Sequence, residues 1–203
     1  GLELLARVET SAAATGADML GVSFGATPGL LDFWQAGGFR LLRMGLRRDA
    51  ASGTHAAVMG RPLTRAGTRL CRDQGERFAQ HWPWVQPCFE GLEPALAQRL
   101  ESALPPGAEP GDDALSQADQ RELYAFVHGF RELEPTRLAL NRLAGPSDAA
   151  GEIDHQLWKR AVTDGAGWEA LRRESLIEGR RQGLARLREL ARQCLPATFG
   201  PSL

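Results

Sequence analysis

The residues whose types and spacing could do chemistry are concentrated between Val22 and Phe39. An apolar run with the pattern of a strand ends at Gly25. Thr27-Pro28 then has the pattern of a helix start, because a threonine hydroxyl can cap a helix and proline suits its first position. A helix that starts directly after a strand offers main-chain N–H groups, which can hold a phosphate or an amide group of a ligand. The same pattern is also that of an ordinary strand–turn–helix connection, so the residues alone leave both interpretations open.

The flanking segments supply the elements that would position this run. Apolar residues at helical spacing predict a helix over residues 1–14. The segments 39–46 and 55–63 have strand patterns, and the second ends at Pro62. The order helix, strand, helix, strand, strand predicts an α/β or α+β fold for residues 1–63.

The rest of the chain has a different character, because no convincing strand pattern follows Leu63. Helices are predicted over residues 64–81, 89–100, 138–143, 153–162 and 168–194, and another begins at the capping-box sequence Ser116-Gln117-Ala118-Asp119. Residues 82–87 predict a helix break, and residues 105–111 predict a loop or linker. The change in composition predicts a domain boundary near residues 63–65, followed by a mostly α-helical region over residues 64–203.

The composition is that of an ordinary globular protein, with a net charge of −1. Cys71, Cys88 and Cys194 are widely spaced and form no Cys-x-x-Cys pair, so we expect neither a metal site nor a disulfide framework. No apolar run approaches about 18 residues, and no signal peptide is visible. These features predict a cytoplasmic protein without a membrane segment.

Four segments carry a resemblance to a known family. They are Gly-Val-Ser-Phe-Gly-Ala-Thr (21–27), Phe-Trp-Gln (33–35), Gly-Phe-Arg-Leu (38–41) and Leu-Arg-Arg-Asp-Ala-Ala-Ser-Gly-Thr-His (46–55). In sequence, order and spacing they resemble the tRNA(Met) cytidine acetyltransferase family, whose bacterial members join a helicase-like ATPase module to a GNAT-type acetyltransferase. The resemblance is strong over residues 1–63 and weaker over the helical region.

The resemblance implies a partial GNAT fold followed by a helical, tRNA-contacting region. It also implies acetylation of N4 of the wobble cytidine of elongator tRNA(Met), with acetyl-CoA as donor and hydrolysis of ATP or GTP. No Gly-x-x-x-x-Gly-Lys-Ser/Thr motif occurs here, so the nucleotide-hydrolysing, helicase-like domain would lie upstream. Since the chain opens at Gly1 without a methionine, we expect a fragment of a longer protein. The resemblance places the strand that pairs with acetyl-CoA and most of the pyrophosphate loop upstream, so we expect the fragment to be inactive alone.

The resemblance also assigns residues to acetyl-CoA. By position, Gly1 resembles the last glycine of the GNAT Gln/Arg-x-x-Gly-x-Gly loop, whose main-chain N–H groups cradle the CoA pyrophosphate. The positions assigned to acetyl-CoA binding are Gly1, Leu2, Phe24, Gly25, Thr27, Gly29 and Ala36. Some relatives carry a glutamate at position 29 and an arginine at position 36, so those charged contacts are not expected here.

Acetylation of a cytidine amine needs positioning above all, because the lone pair of that nitrogen is delocalised into the ring. A base must also take a proton from the nitrogen. His55 lies in the resembling segment and is the candidate for this role. The alternative is that His55 is a strand residue facing solvent or substrate.

Two groups of arginines could contact RNA phosphates. The first is Arg40, Arg43, Arg47 and Arg48, for which a solvated strand edge is the alternative. In the second group, within residues 170–193, seven arginines stand against three glutamates, and a salt-bridged surface helix is the alternative. The arginines of that group are Arg172, Arg173, Arg180, Arg181, Arg186, Arg188 and Arg192.

Two tryptophans of the helical region are candidates for contact with RNA bases. Trp82 and Trp84 could stack on unpaired bases or fill a seam between packed units. The chain could instead belong to a GNAT protein that acetylates a protein or a small-molecule amine, or it could be a non-catalytic RNA-binding module.

Overall fold

The computed structural model describes residues 1–105, 115–147 and 150–195. The chain divides into two compact units, Gly1–Pro110 (unit 1) and Gly111–Leu203 (unit 2). Within the described parts, none of the helices combines the length and apolar character that crossing a bilayer requires.

Unit 1 begins with the predicted order of elements, which are α1 (Leu2–Ala14), β1 (Met19–Gly25), α2 (Pro28–Ala36), β2 (Arg40–Arg48) and β3 (His55–Pro62). The strands form an antiparallel sheet in the order β1–β3–β2. Met59 at the centre of β3 lies opposite Val22 of β1 and Leu41 of β2. The register of β2 shifts between Leu41 and Arg43, so the alternation of inward and outward side chains breaks there.

Two further helices complete unit 1, α3 (Arg65–Val85) and α4 (Pro94–Ala103), with a 3₁₀ turn at Gln86–Cys88 between them. They pack with the sheet and α2 in a single hydrophobic core. Its buried side chains include Leu31, Leu41, Met59, Phe78, Trp82, Leu96 and Leu100. The sheet therefore covers its apolar face with α3 and α4.

The predicted helix break at residues 82–87 is wrong in its first half. Helix α3 continues through Pro83 and ends at Val85. Proline inside a helix removes one backbone hydrogen bond and crowds the preceding turn. Trp82 and Val85 on either side of it are both buried, and their burial offsets that cost.

The described residues of unit 2 form helices and the turns and loops that connect them. Its α-helices are α5 (Gln117–Val127), α6 (Arg137–Asn141), α7 (Glu152–Trp158), α8 (Trp168–Arg173) and α9 (Arg180–Cys194). A 3₁₀ turn at Glu134–Thr136 precedes α6, and a π-helical turn at Lys159–Thr163 follows α7. The core of the unit includes Phe126, Leu140, Leu157, Leu187 and Leu190.

The single helix predicted over residues 168–194 is wrong, because α8 and α9 are separate. Ser175 between them has a φ of +57°, in the left-handed region that interrupts a helix. Leu176 and Ile177 are buried in the core, so packing favours the turn over a continuous helix. The loop predicted over residues 105–111 lies outside the described residues except for Pro105. The predicted fold class, mixed α/β followed by a mostly α-helical region, is confirmed.

Candidate functional site

The connection from β1 to α2 has the predicted cap. Thr27 has an extended backbone, and its Oγ1 accepts a hydrogen bond of 3.3 Å from the Leu30 N–H. Pro28 follows at the first helical position and carries no N–H. In the first turn, Pro28 has no N–H and the Leu30 N–H is used by the cap, so the Gly29 N–H is the one that can bind a ligand. The space where a Cβ of Gly29 would stand is open. The helix start therefore fits a phosphate or amide ligand at one named donor.

Gly1 lies beside the same helix. It caps α1, with its carbonyl accepting from the Leu5 N–H over 3.1 Å. A Cβ on Gly1 would stand 3.1 Å from the ring of Phe33, one turn after Gly29 in α2. The structure therefore places the start of α1 against Phe33, in the middle of α2. Leu2, also assigned to acetyl-CoA, is the first residue of α1.

The two other residues of the run, Phe24 and Gly25, have packing roles. The Phe24 ring is stacked on Trp34, with ring centroids 5.9 Å apart. A Cβ on Gly25 would stand 2.3 Å from Thr54 Oγ1, so a larger residue at this approach of β1 to the β2–β3 turn would require the Thr54 side chain to move. These contacts account for the presence of Phe24 and Gly25 without any role in ligand binding. The sequence did not predict these packing roles.

Ala36 lies at the rim of an open pocket of about 300 Å³ between α1 and the end of α2. One guanidinium, that of Arg61, lines this pocket. Arg61 donates to the Gly37 carbonyl over 2.9 Å and to the Glu9 carboxylate over 2.8 Å. The cation near Ala36 is thus already neutralised by Glu9.

His55 does not face solvent or substrate, and that expectation is wrong. Its side chain is buried, with 3% of the residue exposed. Nδ1 lies 3.1 Å from the Gly45 carbonyl oxygen, Nε2 lies 3.1 Å from the Glu90 carbonyl oxygen, and the ring meets Phe89 edge to face. A general base must reach the proton that it removes. The position of His55 supports a structural role, fastening the sheet to the chain after α3.

Two of the cysteines and the possible metal-binding clusters can be assessed in the described parts of the chain. Burial raises the pKa of the Cys71 and Cys194 thiols, which is the opposite of an activated nucleophile. Within the same parts, no group of three or more His, Cys, Asp and Glu side chains could hold a metal ion.

The arginines of β2 are exposed, but they differ in the contacts that their side chains make. Arg40 and Arg43 lie along the strand. Arg48 Nε donates to the Gly53 carbonyl over 2.6 Å and so closes the β2–β3 turn. In that turn, hydrogen bonds from Ser52 hold the pKa of Asp49 below its usual value. Arg48, at the end of this predicted patch, therefore stabilises the β2–β3 turn.

The second group of arginines lies on α8 and α9, and most of its members have acidic partners. Arg172 pairs with Glu169, Arg180 with Glu132, Arg186 with Asp154, and Arg192 with Glu189. Arg173 and Arg181 are exposed, and Arg181 forms no ion pair with any described residue. The surface thus combines the predicted basic patch with the alternative of a salt-bridged helix.

Of the two tryptophans considered for base stacking, Trp82 is buried in the core of unit 1, with 5% of its surface exposed. Trp84 is half-buried. Core packing is therefore the role of Trp82.

Two family models match the chain in succession. The model described as GNAT acetyltransferase 2 matches residues 2–64, and the model described as tRNA-binding domain matches residues 67–198. The first covers α1 to β3, which identifies the sheet of unit 1 as part of a GNAT fold. The second begins in α3 and continues through α9.

Several bacterial proteins named tRNA(Met) cytidine acetyltransferase TmcA are similar to the chain. The protein of Nitrosococcus halophilus is 32% identical over 201 residues, which are 95% of this chain and 26% of the relative. Those of Yersinia pestis and Citrobacter koseri are 38% and 42% identical over 62% and 70% of this chain, and 17% and 19% of their own lengths. The chain spans about a quarter or less of the relatives that it matches. With both models in sequence and similarity over nearly its whole length, the chain belongs to the tRNA(Met) cytidine acetyltransferase family.

Proposed function

We propose that the chain is part of an enzyme that transfers an acetyl group from acetyl-CoA to N4 of the wobble cytidine of elongator tRNA(Met). The observation that carries this proposal is the succession of a GNAT acetyltransferase match and a tRNA-binding match within one chain. The relatives' name supports the choice of substrate. Hydrolysis of ATP or GTP would be the task of a helicase-like module upstream, and the cytoplasm is where the tRNA is available.

In this proposal residues 1–63 form the acetyltransferase part and residues 64–203 the part that holds tRNA. Gly29 is the sharpest candidate for contact with acetyl-CoA, because the cap leaves its N–H available in open space. Gly1 would contribute from the neighbouring helix start, and the other assigned positions would support them through packing. Acetyl-CoA supplies the activated acetyl group, and the chain contributes binding and orientation.

The arginines would supply phosphate contacts. Arg181, exposed and without an ion pair in the described part of the chain, is the best placed on α9. Arg172 is a control, because it is also exposed but already pairs with Glu169 over 3.0 Å. Phosphate contacts give affinity that falls with salt, so each lost contact reduces the slope of log K against log salt by about 1.

The test measures acetylation of an unmodified tRNA(Met) transcript by the complete protein that contains this chain. Labelled acetyl-CoA is the donor, nuclease digestion identifies the acetylated nucleoside, and a transcript with uridine at the wobble position is the control. We expect N4-acetylcytidine from the first transcript, no product from the second, and none from residues 1–203 alone. Acetylation of a peptide amine but not of tRNA would overturn the proposal, and product from residues 1–203 alone would overturn the expected inactivity.

A further inference from the structure

Phe130 presents an aromatic ring to solvent on unit 2. It is 81% exposed, although a large apolar side chain gains by burial. Its backbone is fixed, because the Phe130 N–H donates to the Ala125 carbonyl over 2.8 Å and the Gly129 N–H donates to Phe126 over 3.1 Å. Gly129 has a φ of +87°, which ends α5 and directs the chain outward. The ring is therefore held out by a well-defined helix end.

Two arginines of α9 hold the chain on either side of this ring. Arg192 Nη2 donates to the Val127 carbonyl, and Arg188 Nη2 donates to the Arg131 carbonyl, both over 3.1 Å. The hydrogen bonds fix the helix end that carries Phe130, while the Arg188 guanidinium itself lies over the buried Phe126 ring and Arg192 pairs with Glu189.

A second aromatic surface lies on the exposed face of α5. The rings of Tyr124 and His128 are stacked, with centroids 4.1 Å apart and an interplanar angle of 30°. Arg121 is on the same face, one turn earlier, and is exposed with no ion pair among the described residues. The stack, Arg121 and Phe130 all belong to α5 or to the turn that ends it, and together we call them the aromatic–arginine surface.

The acidic side chains near this surface are already engaged by cations. Glu122 pairs with Arg131 over 3.2 Å, and Glu132 pairs with Arg180 over 3.1 Å. The surface thus offers aromatic rings and the exposed guanidinium of Arg121, which suits a polyanion that carries exposed aromatic rings.

We propose that the aromatic–arginine surface binds an unpaired nucleotide of RNA, with a base stacked on Phe130 and a neighbouring phosphate near Arg121. This inference rests on the proposed tRNA substrate and adds to it a binding element for a single-stranded part of the RNA. Unpaired bases stack on aromatic side chains, whereas a duplex hides its base faces. Of the two tryptophans considered earlier for this role, Trp82 is buried and Trp84 is half-buried, whereas Phe130 is largely exposed.

The test compares the wild-type 203-residue chain with Phe130→Leu and Ile153→Ala. Leucine keeps an apolar side chain but removes the π face. Ile153 on α7 is 64% exposed and serves as the control for loss of an exposed apolar side chain. The probes are a tRNA(Met) transcript, its anticodon stem–loop with 2-aminopurine at unpaired positions, and a fully paired RNA duplex of equal length. Unfolding curves confirm that the exposed substitutions leave folding unchanged.

We expect Phe130→Leu to weaken binding to the transcript and the stem–loop about tenfold, in line with the loss of one stacked base. The salt slope and duplex binding should stay unchanged, and the quenching of 2-aminopurine on binding should disappear. Ile153→Ala should behave as wild type. Unchanged stem–loop affinity in Phe130→Leu, or an equal loss of affinity for the duplex, would overturn the stacking site. In either case, wild-type binding to tRNA with a steep salt slope would still support the proposed function. Absence of any wild-type binding to tRNA would overturn both.

Discussion

Arg142 Nη1 donates to Asp119 Oδ2 over 2.7 Å, and this ion pair joins the end of α6 to the first turn of α5. The Asp119 side chain has no exposed surface, and that of Arg142 is 11% exposed. The same carboxylate accepts from the Ser116 N–H over 2.9 Å and so completes a capping box. One buried carboxylate thus starts a helix and ties it to its neighbour.

Arg142→Ala should destabilise unit 2 by about 3 kcal/mol, because removing one member of a buried ion pair leaves an uncompensated charge. Arg172→Ala breaks an exposed pair and should have almost no effect. Urea unfolding gives the size of the loss, and hydrogen exchange of the α5 amides locates it. Equal stability of the two variants would show that the Asp119–Arg142 pair contributes little.

The capping box could be predicted from sequence, because the two residues that form it, Ser116 and Asp119, are only three positions apart. Arg142, the third partner, lies 23 positions from Asp119 and becomes its neighbour only when α6 packs against α5. The arginines of α9 show the same limit. Their positive charge is visible in the sequence, but the pairing of Arg186 with Asp154 depends on tertiary structure.

The same distinction explains which parts of the fold could be predicted. The first five elements follow from local patterns such as the Thr27-Pro28 cap. The continuation of α3 through Pro83 and the interruption at Ser175 depend on buried side chains whose partners are distant in sequence. Burial of His55 also depends on a distant residue, because the Glu90 carbonyl that it meets is 35 positions away.

Gly67 in the first turn of α3 lies against the backbone of Asp18. A Cβ at this position would stand 1.9 Å from the Asp18 carbonyl oxygen, which also accepts from the Leu63 N–H. Gly67→Ala should therefore force the β3–α3 corner apart and destabilise unit 1 by about 3 kcal/mol. Gly29→Ala, in the first turn of α2 with open space around it, should be neutral or slightly stabilising. Thermal unfolding of the two variants checks this difference, and a Gly67→Ala protein as stable as Gly29→Ala would contradict it.

His55→Ala should behave as a structural substitution. It removes the contacts to the Gly45 and Glu90 carbonyls and leaves a gap beside Phe89, so we expect a loss of about 2 kcal/mol. In the complete protein, acetylation should fall only as far as the folded fraction falls. A variant that unfolds like wild type but has lost acetylation would instead assign His55 to the chemistry.

Stability in acid should depend on the ion pair between Asp154 of α7 and Arg186 of α9. Arg186 donates two hydrogen bonds to this carboxylate, and they hold its pKa below the usual value of 3.8. His155 beside Asp154 and Glu189 near Arg186 are the other charged groups at this contact.

Because the pKa of Asp154 is lower in the folded state, the unfolded chain takes up the proton first as the pH falls. The stabilisation by the pair is therefore fully present well above 3.8 and is lost as the pH falls through the folded pKa. Asp154→Asn should be less stable than wild type by about 1 kcal/mol near neutral pH. The difference should shrink as the pH falls below 3.8 and through the lower pKa of the folded state, since asparagine does not titrate. Urea unfolding across this range measures it, with Glu169→Gln in an exposed pair as the control. A difference that stays constant from neutral to acid pH would show that the carboxylate of Asp154 is not held ionised by Arg186.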